Sequence, residues 1–137
     1  MEANGSLPTV LEAGLEATVE ETVNEGMTAE RLGSGDVPVL GTPAILALVE
    51  AAAVAAVADE LDPGQTTVGA SVELEHVAPT IAGAKVAATA GLIEVEGRRL
   101  HFSFEVTDPA GPVARGTHVR AVVDRERFLD SARSRGE

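Results

Sequence analysis

Glu50 is the residue of this sequence whose type and position best fit acid–base chemistry. It is the one charged residue in the most apolar run of the chain, Pro43 to Ala58. An isolated carboxylate in apolar surroundings is costly, so Glu50 must find a partner through space, be protonated or face a wet cleft. A carboxyl group with a raised pKa in a cleft is suited to act as a general base. The alternative is that Glu50 simply points into solvent or into a subunit interface.

Thr42 and His76 are two further polar residues at positions where sites form. Thr42 precedes Pro43 at the start of the apolar run, which is typical of a helix N-terminus. Its hydroxyl either caps the helix or, beside the free NH groups of the first turn, polarises a carbonyl oxygen. His76 ends the alternating run that begins at Val68, shortly before Pro79. It is either a structural histidine or a proton carrier at a strand end.

The composition excludes several classes of function. The 137 residues carry 10 basic and 22 acidic side chains, and the formal charge of −12 repels nucleic-acid phosphates. Three phenylalanines are the only aromatic residues, so no stacking platform for single-stranded nucleic acid is expected. The absence of cysteine and of histidine pairs at ligand spacing argues against a metal site. No Gly-rich phosphate loop and no G-x-S-x-G motif occurs, so nucleotide-binding and serine-hydrolase functions are not expected.

The apolar run predicts a helix over residues 43–60 that is hydrophobic on all sides. Thr42-Pro43 marks its start, and Asp62-Pro63-Gly64 supplies its stop. The run is shorter than the roughly 20 residues that span a membrane and has Glu50 at its centre, so we predict a buried helix and no membrane partner. Other elements must wrap such a helix.

The rest of the chain predicts the sheet that wraps this helix. A weak alternation suggests a first strand over 11–23, and residues 125–135 are typical of a short exposed helix. Four clear runs of period two follow the long helix, at 68–74, 86–92, 100–106 and 113–123. They predict one α+β domain over 1–137, in which a curled antiparallel sheet of about five strands surrounds one central helix. The sheet edges and outer face stay uncovered, so we expect a homodimer at least.

Five short parts of the chain combine polar residues and glycines at characteristic spacings. They are Gly41-Thr42-Pro43 with Glu50-Ala51-Ala52, Thr67-Val68-Gly69-Ala70, Glu75-His76, Val95-Glu96-Gly97-Arg98-Arg99-Leu100 and Gly116-Thr117-His118-Val119-Arg120. Over about residues 9–130 they resemble the fluoroacetyl-CoA thioesterase group of the hot-dog superfamily. The resemblance implies a hot-dog fold that dimerises and a thioesterase that hydrolyses a short acyl-CoA. Coenzyme A is then part of the substrate, and no separate cofactor is implied.

The resemblance also implies roles for particular residues. Thr42, Glu50 and His76 match a catalytic trio. Glu50 would activate water or attack the carbonyl, His76 would orient or shuttle the proton, and Thr42 would hold the carbonyl oxygen. Gly69 and Arg120 would line the acyl site. The family has a phenylalanine lid just before the threonine, whereas residues 31–41 contain no aromatic side chain here, so we expect a general or different acyl-CoA rather than a fluoroacetyl preference.

Helix geometry adds a constraint that the resemblance does not supply. Eight residues at about 1.5 Å rise place the backbones of Thr42 and Glu50 roughly 12 Å apart. We expect the two side chains to approach the thioester from opposite sides, or the twofold partner to contribute one of them.

An anionic coenzyme also needs a local basic patch on so acidic a chain. Arginine suits phosphate because of its bidentate fork, and the candidates are Arg98, Arg99, Arg115 and Arg120. Two rival functions remain open: a non-catalytic hot-dog module that binds acyl groups or serves in assembly, and a hydratase on the same fold.

The sequence also suggests a compartment. Met1 to Ser6 have neither the basic segment nor the apolar stretch of a secretion signal, and the lack of cysteine fits a reducing environment. We therefore expect a cytoplasmic protein.

Overall fold

The strands and helices occur in the predicted order along the chain. The structure, a computed structural model, describes residues 11–136, and the expectation for Met1–Ser6 lies outside this range. The elements are β1 (Glu16–Thr22), α1 (Ala29–Leu32), α2 (Thr42–Val57), β2 (Gln65–His76), β3 (Lys85–Glu96), β4 (Arg99–Asp108), β5 (Gly111–Asp124) and α3 (Arg125–Arg135). Single-turn 3₁₀ helices lie at Glu25–Met27 and Ala58–Glu60.

The five strands form one antiparallel sheet in the order β1-β3-β4-β5-β2. Helix α2 lies against one face of this sheet, the inner face, and packs chiefly on β1 and β3. Alternate residues of β4 are buried on the inner face, namely Leu100, Phe102, Phe104 and Val106. This arrangement confirms the predicted α+β layout and leaves β1 and β2 as the two edges of the sheet.

The start of α2 differs from the prediction by one residue, and the difference matters for chemistry. Gly41 is the N-cap, and Thr42 is the first helical residue, so the expectation that the Thr42 hydroxyl caps the helix is wrong. A Cβ at position 41 would lie 3.1 Å from Ala29 backbone atoms and from Leu32 Cδ1, so only glycine fits there without displacing α1. The Thr42 hydroxyl is therefore released from capping. At the other end the 3₁₀ turn extends α2 to Glu60, as predicted.

Only one side of α2 is covered within a single chain. The buried side consists of Ile45, Leu48, Val49, Ala52, Ala53 and Val57. The opposite side is exposed and also apolar, with Ala47, Ala51, Val54 and Ala55. The sheet therefore covers one side of the helix, and nothing within residues 11–136 covers the other. Among the described residues the helix Thr42–Glu60 is long and apolar enough to cross a membrane, a test that a core helix also meets.

A β-bulge in β2 changes which of its residues face the helix. Gly69 pairs with Arg120, and Ser71 pairs with Val119, so Ala70 is the extra residue between them. Before the bulge the inner face therefore carries odd-numbered residues, and after it even-numbered ones from Val72 to His76. The predicted unbroken alternation from Val68 onward is wrong, since Val68 lies on the outer face.

Beyond Ala114 the inner and outer faces of β5 are the reverse of those that its alternating pattern predicts. That pattern would place on the core side Val113, Thr117, Val119, Ala121 and Val123, of which only Val113 is buried. In the structure the buried residues beyond Ala114 are His118, Arg120 and Val122. The period of two was correct, but polar side chains face inward on this strand. Helix α3 follows β5 with no buried residue, which confirms the predicted short exposed helix.

Candidate active site

The first turn of α2 and the last residue of β2 bring Thr42 and His76 together. The distance from Thr42 Oγ1 to His76 Nδ1 is 2.9 Å, and either atom can donate, depending on the histidine tautomer. Thr42 is available because Gly41 serves as the N-cap. His76 Nε2 is buried and has no hydrogen-bond partner among residues 11–136. A hydroxyl, an imidazole and the NH groups of a helix start thus converge at one end of the helix.

Glu50 lies two turns further along α2 and has a charged partner. Its Oε2 is 3.0 Å from NH1 of Arg120 on β5. The Glu50 side chain is 40% exposed and the Arg120 side chain 6%. Of the three possibilities for this carboxylate, partnership through space is therefore realised. The pair joins residues 70 positions apart, so the neighbours on the helix could not reveal it.

Arg120 is held in the protein interior by uncharged groups as well. Its Nε donates to Thr67 Oγ1 at 2.9 Å, and its NH2 group donates to the Thr67 carbonyl at 3.0 Å. Its NH1 group also contacts His118 Nε2 at 3.2 Å. The expectation that Arg120 contributes to a surface patch for phosphate is therefore wrong. The guanidinium lies behind Glu50 and directs it.

His118 is a site residue that sequence reasoning placed wrongly. Its alternation with Arg120 in the run 113–123 predicts that it faces outward or into an interface, but it is 2% exposed. Its Nδ1 donates to the Ser71 carbonyl at 2.8 Å, so its Nε2 accepts from Arg120 and the ring is neutral. Burial lowers the pKa of His118, and the positive charge of Arg120 lowers it further, against the opposing effects of the Ser71 hydrogen bond and of Glu50. The sequence does contain a signal for this placement. Spacing by two residues puts His118 and Arg120 on the same face of the strand as the apolar residue Val122, which is buried.

Gly69 makes room for the carboxylate of Glu50. It pairs directly with Arg120 across β2 and β5. A Cβ at position 69 would overlap Glu50 Oε2, so a side chain there would displace the carboxylate. This gives a physical reason for glycine at a position that the family resemblance had assigned to the acyl site.

A cleft of about 200 Å³ lies beside Glu50, between α2 and β2. We call it the Glu50 cleft; it is lined by Leu46 and Glu50 of α2, by residues 69–72 of β2 and by His118 of β5. Arg120 is not among the lining residues, so it supports the site from behind. The carboxylate is thus ion-paired and also borders a space that can hold a small group.

The structure forms two pairs rather than one trio. Among the described residues, His76 contacts Thr42, whereas Glu50 contacts Arg120. No hydrogen bond joins Glu50 to His76, although the sequence reasoning treated them as a pair. The eight-residue spacing on α2 keeps the two pairs roughly 12 Å apart along the helix axis. One chain therefore presents two separate halves of a candidate site.

The surface arginines lie in different surroundings. Arg98 and Arg99 are exposed at the turn between β3 and β4, and Arg98 NH1 donates to the Val122 carbonyl at 3.3 Å. Arg98 also lines a groove of about 340 Å³ with Arg127 and Phe128 of α3. Arg115 is exposed and pairs with Glu75 at 3.2 Å.

No cluster of three or more His, Asp or Glu side chains that could hold a metal ion occurs in the described range 11–136. The site residues found here are a carboxylate, two histidines, a hydroxyl and a buried guanidinium. Such a set can polarise a carbonyl, accept a proton and deliver one.

Comparisons with known proteins identify similar sequences. The family model described as fluoroacetyl-CoA-specific thioesterase matches residues 23–126. The fluoroacetyl-CoA thioesterase of Streptantibioticus cattleyicolor is 37% identical over 97 residues, which cover 71% of this chain and 70% of that one.

Solved structures show the same fold. A mutant of the fluoroacetyl-CoA enzyme FlK in complex with acetyl-CoA superposes with a TM-score of 0.88 at 30% identity, covering 93% of this chain and all of that one (100%). A thioesterase superfamily member from Thermus thermophilus gives a TM-score of 0.84 at 25% identity, with 90% of this chain and 92% of that chain covered. These neighbours confirm the hot-dog fold expected from the sequence.

Proposed function

The chain belongs to the fluoroacetyl-CoA-specific thioesterase family and is an acyl-CoA thioesterase, and we propose that it hydrolyses short acyl-CoA thioesters with Glu50 as the reacting carboxylate. The observation that carries this proposal is a carboxylate that borders a cleft of about 200 Å³ while a buried arginine holds one of its oxygens. A cleft of this size suits a short acyl group. The relatives named for fluoroacetyl-CoA support a CoA thioester as the substrate class.

The ion pair leaves one carboxylate oxygen for chemistry. Arg120 contacts Oε2 of Glu50, and we assign Oε1 to the substrate. In the water route Oε1 takes a proton from water while the water oxygen attacks the carbonyl carbon. The C–S bond then breaks, and sulfur leaves as the thiol with a proton returned by Glu50 or supplied by His76. In the covalent route Oε1 attacks the carbonyl carbon itself, the C–S bond breaks, and sulfur leaves as the thiol with a proton from His76. Water then cleaves the resulting anhydride to the free acid and the Glu50 carboxylate.

The Thr42–His76 pair serves the other side of the thioester. The Thr42 hydroxyl and the first NH groups of α2 stabilise negative charge that develops on the carbonyl oxygen. His76 contacts that hydroxyl at 2.9 Å and carries the proton for the leaving sulfur.

We further propose that the two halves of the site meet across a homodimer. Edge strand β2 exposes residues 70–72, and α2 exposes Ala47 and Ala51 beside them. A second copy that pairs along this edge covers the apolar surface and brings its own Thr42–His76 pair toward the Glu50 cleft. In this arrangement Glu50 of one subunit acts together with the Thr42–His76 pair of the other subunit. The separation of roughly 12 Å within one chain then no longer keeps the two halves of the site apart.

The nucleotide end of coenzyme A needs a basic surface, and we assign it to Arg98 and Arg99. Arg98 is the better placed of the two because it shares a groove with Arg127 and the exposed ring of Phe128. Arginine binds phosphate through its fork, and an aromatic face can stack on the adenine ring.

A panel of acyl-CoA esters tests the proposed substrate class. We expect thiol release from acetyl- to butyryl-CoA and fluoroacetyl-CoA, with activity falling steeply once the acyl chain outgrows the cleft. Binding of these esters without thiol release would contradict the proposal and favour a non-catalytic acyl-binding module. Preference for long acyl chains would contradict the assignment of the Glu50 cleft to the acyl group.

A single-turnover reaction in heavy-oxygen water separates the two chemical routes. Label that enters Glu50 supports the covalent route, and label confined to the product acid supports direct attack by water.

A further inference from the structure

We propose that His118 is a positioning residue for the reaction: it holds the guanidinium of Arg120 in the orientation that aims NH1 at Glu50. This inference rests on the proposed role of Glu50 and assigns a function to a buried side chain that the mechanism above does not use.

The contacts of NH1 are the first step of the argument. This nitrogen carries two protons, and two acceptors lie near it: Glu50 Oε2 at 3.0 Å and His118 Nε2 at 3.2 Å. Thr67 binds the other side of the guanidinium through Nε and NH2. Because the group is planar, Thr67 and His118 together fix its rotation, and the direction of the remaining NH1 proton follows. That proton points to Glu50.

The tautomer of His118 is the second step. Nε2 can accept from Arg120 only when the proton is on Nδ1, and the Ser71 carbonyl fixes the proton there at 2.8 Å. The bulge between Gly69 and Ser71 lies in this part of β2. The Ser71 carbonyl of the edge strand therefore fixes the tautomer of His118, and His118 fixes the orientation of the Arg120 guanidinium. That guanidinium in turn fixes the position of the Glu50 carboxylate.

The shape of His118 can be separated from its hydrogen bonding. Its ring lies near Phe102, with centroids 6.3 Å apart, so an aromatic ring of similar size fits this part of the core. Phenylalanine at position 118 would preserve the packing but remove the acceptor. Glutamine would keep an acceptor at about the reach of Nε2, and asparagine would keep only a donor near Nδ1.

The charged groups that face His118 are Arg120 on β5 and Glu50 on α2, and β2 contributes the uncharged Ser71 carbonyl. If His118 no longer directs Arg120, NH1 can turn away from Glu50 Oε2, and the carboxylate loses the contact that orients it. The loss should then fall on kcat and not on KM, and a new acceptor at position 118 should restore it. A residue that only fills space would not respond to the acceptor.

The test compares His118→Phe, His118→Asn and His118→Gln in the full chain with a short acyl-CoA. We expect His118→Phe and His118→Asn to lower kcat roughly 10- to 100-fold and to change KM by less than about threefold. We expect His118→Gln to recover most of the lost kcat. Val113→Ala is the matched control, because it truncates a buried apolar residue of the same strand. It should lower the melting temperature without a comparable loss of kcat.

Three outcomes would overturn the inference. One is a His118→Phe enzyme with unchanged kcat, and another is a loss of kcat of the same size in Val113→Ala. The third is a double variant, His118→Phe with Glu50→Gln, in which His118→Phe lowers kcat as much as it does in the wild-type chain. If His118 acts through Glu50, its replacement should lower kcat no further once Glu50 is replaced. If instead Glu50→Gln alone retains wild-type activity, the proposed function fails. That result differs from the three outcomes that would overturn the inference about His118, so the two failures can be distinguished.

Discussion

The absence of a side chain at position 69 determines where the carboxylate of Glu50 can lie. Gly69 sits across from Arg120 in the sheet, and the carboxylate occupies the space where a Cβ would be. The position of the Glu50 carboxylate thus depends on two neighbours. The Arg120 guanidinium binds one of its oxygens, and the backbone of Gly69, which has no side chain, leaves room for it. At this scale the sequence predicted a set of candidate residues but not their contacts, because the contacts join positions far apart in the chain.

Gly69→Ala should therefore reduce activity much more than stability. The added methyl group overlaps Glu50 Oε2 and forces it from the cleft, so we expect kcat to fall roughly 10- to 100-fold. Gly91→Ala on β3 is the control, because its added Cβ would have only Glu16 Oε1 nearby, at 4.0 Å. Steady-state kinetics with a short acyl-CoA compare the two variants. Equal activity in both would show that the position of the carboxylate is unimportant.

The neutral state of His118 also gives a pH dependence of stability. Its pKa in the folded chain is below the ordinary value of about 6.5, so the unfolded chain takes up the proton first. The stabilisation is complete above about pH 6.5 and is lost as the pH falls through the folded pKa. Urea unfolding of wild type and His118→Gln at about pH 7.5 and 5.5 measures this contribution. We expect wild type to lose more free energy of unfolding than the variant, and equal losses would contradict the prediction.

At the scale of elements, the sequence predicted which segments fold but not always how they face. The helix, the four later strands and α3 were predicted from periodicity and turn residues, and their bounds agree closely with the structure. The bulge in β2 was missed because one inserted residue leaves a nearly regular alternation around Gly69. The inward face of β5 was missed because His118 and Arg120 look like surface residues until their partners on α2 and β2 are known.

The turn between β3 and β4 is the element that we assign to the coenzyme. Arg98→Ala should raise KM for acyl-CoA roughly three- to tenfold and leave kcat unchanged, because the change removes a surface contact to phosphate and not a reacting group. Arg31→Ala is the control, since Arg31 is an exposed arginine of α1 that pairs with Glu25. Initial rates at low and high salt complete the measurement, and the KM of wild type should rise with salt. Equal KM values in the two variants would contradict the assignment.

At the scale of the whole molecule, a single chain leaves the two proposed halves of the site apart. The Thr42–His76 and Glu50–Arg120 pairs lie two turns apart along α2, whose other side is exposed and apolar. The sequence predicted the separation from helix rise alone, and a dimer followed from the open edges. The contribution that we propose for a partner subunit depends on the register in which two copies pair, and the sequence does not reveal that register.

Mixing two inactive variants tests the shared site. Thr42→Ala and Glu50→Ala each remove one half, so a heterodimer with one copy of each keeps one intact composite site when the halves come from different subunits. A wild-type dimer would have two composite sites and the heterodimer one, so we expect up to about half of the wild-type activity per heterodimer. Differently tagged chains, purified as heterodimers, provide the measurement. Heterodimers as inactive as either parent would place the whole site within one subunit.

The central claim is that the carboxylate of Glu50 carries out the chemistry, and the most direct test is the kcat of Glu50→Gln for thiol release at a saturating short acyl-CoA. Glutamine keeps an oxygen for Arg120, so the fold should persist, and Glu73→Gln controls for removal of an exposed carboxylate from β2. We predict that Glu50→Gln loses at least about 100-fold in kcat with little change in KM, while Glu73→Gln resembles wild type. A Glu50→Gln enzyme within about twofold of the wild-type kcat would contradict the account.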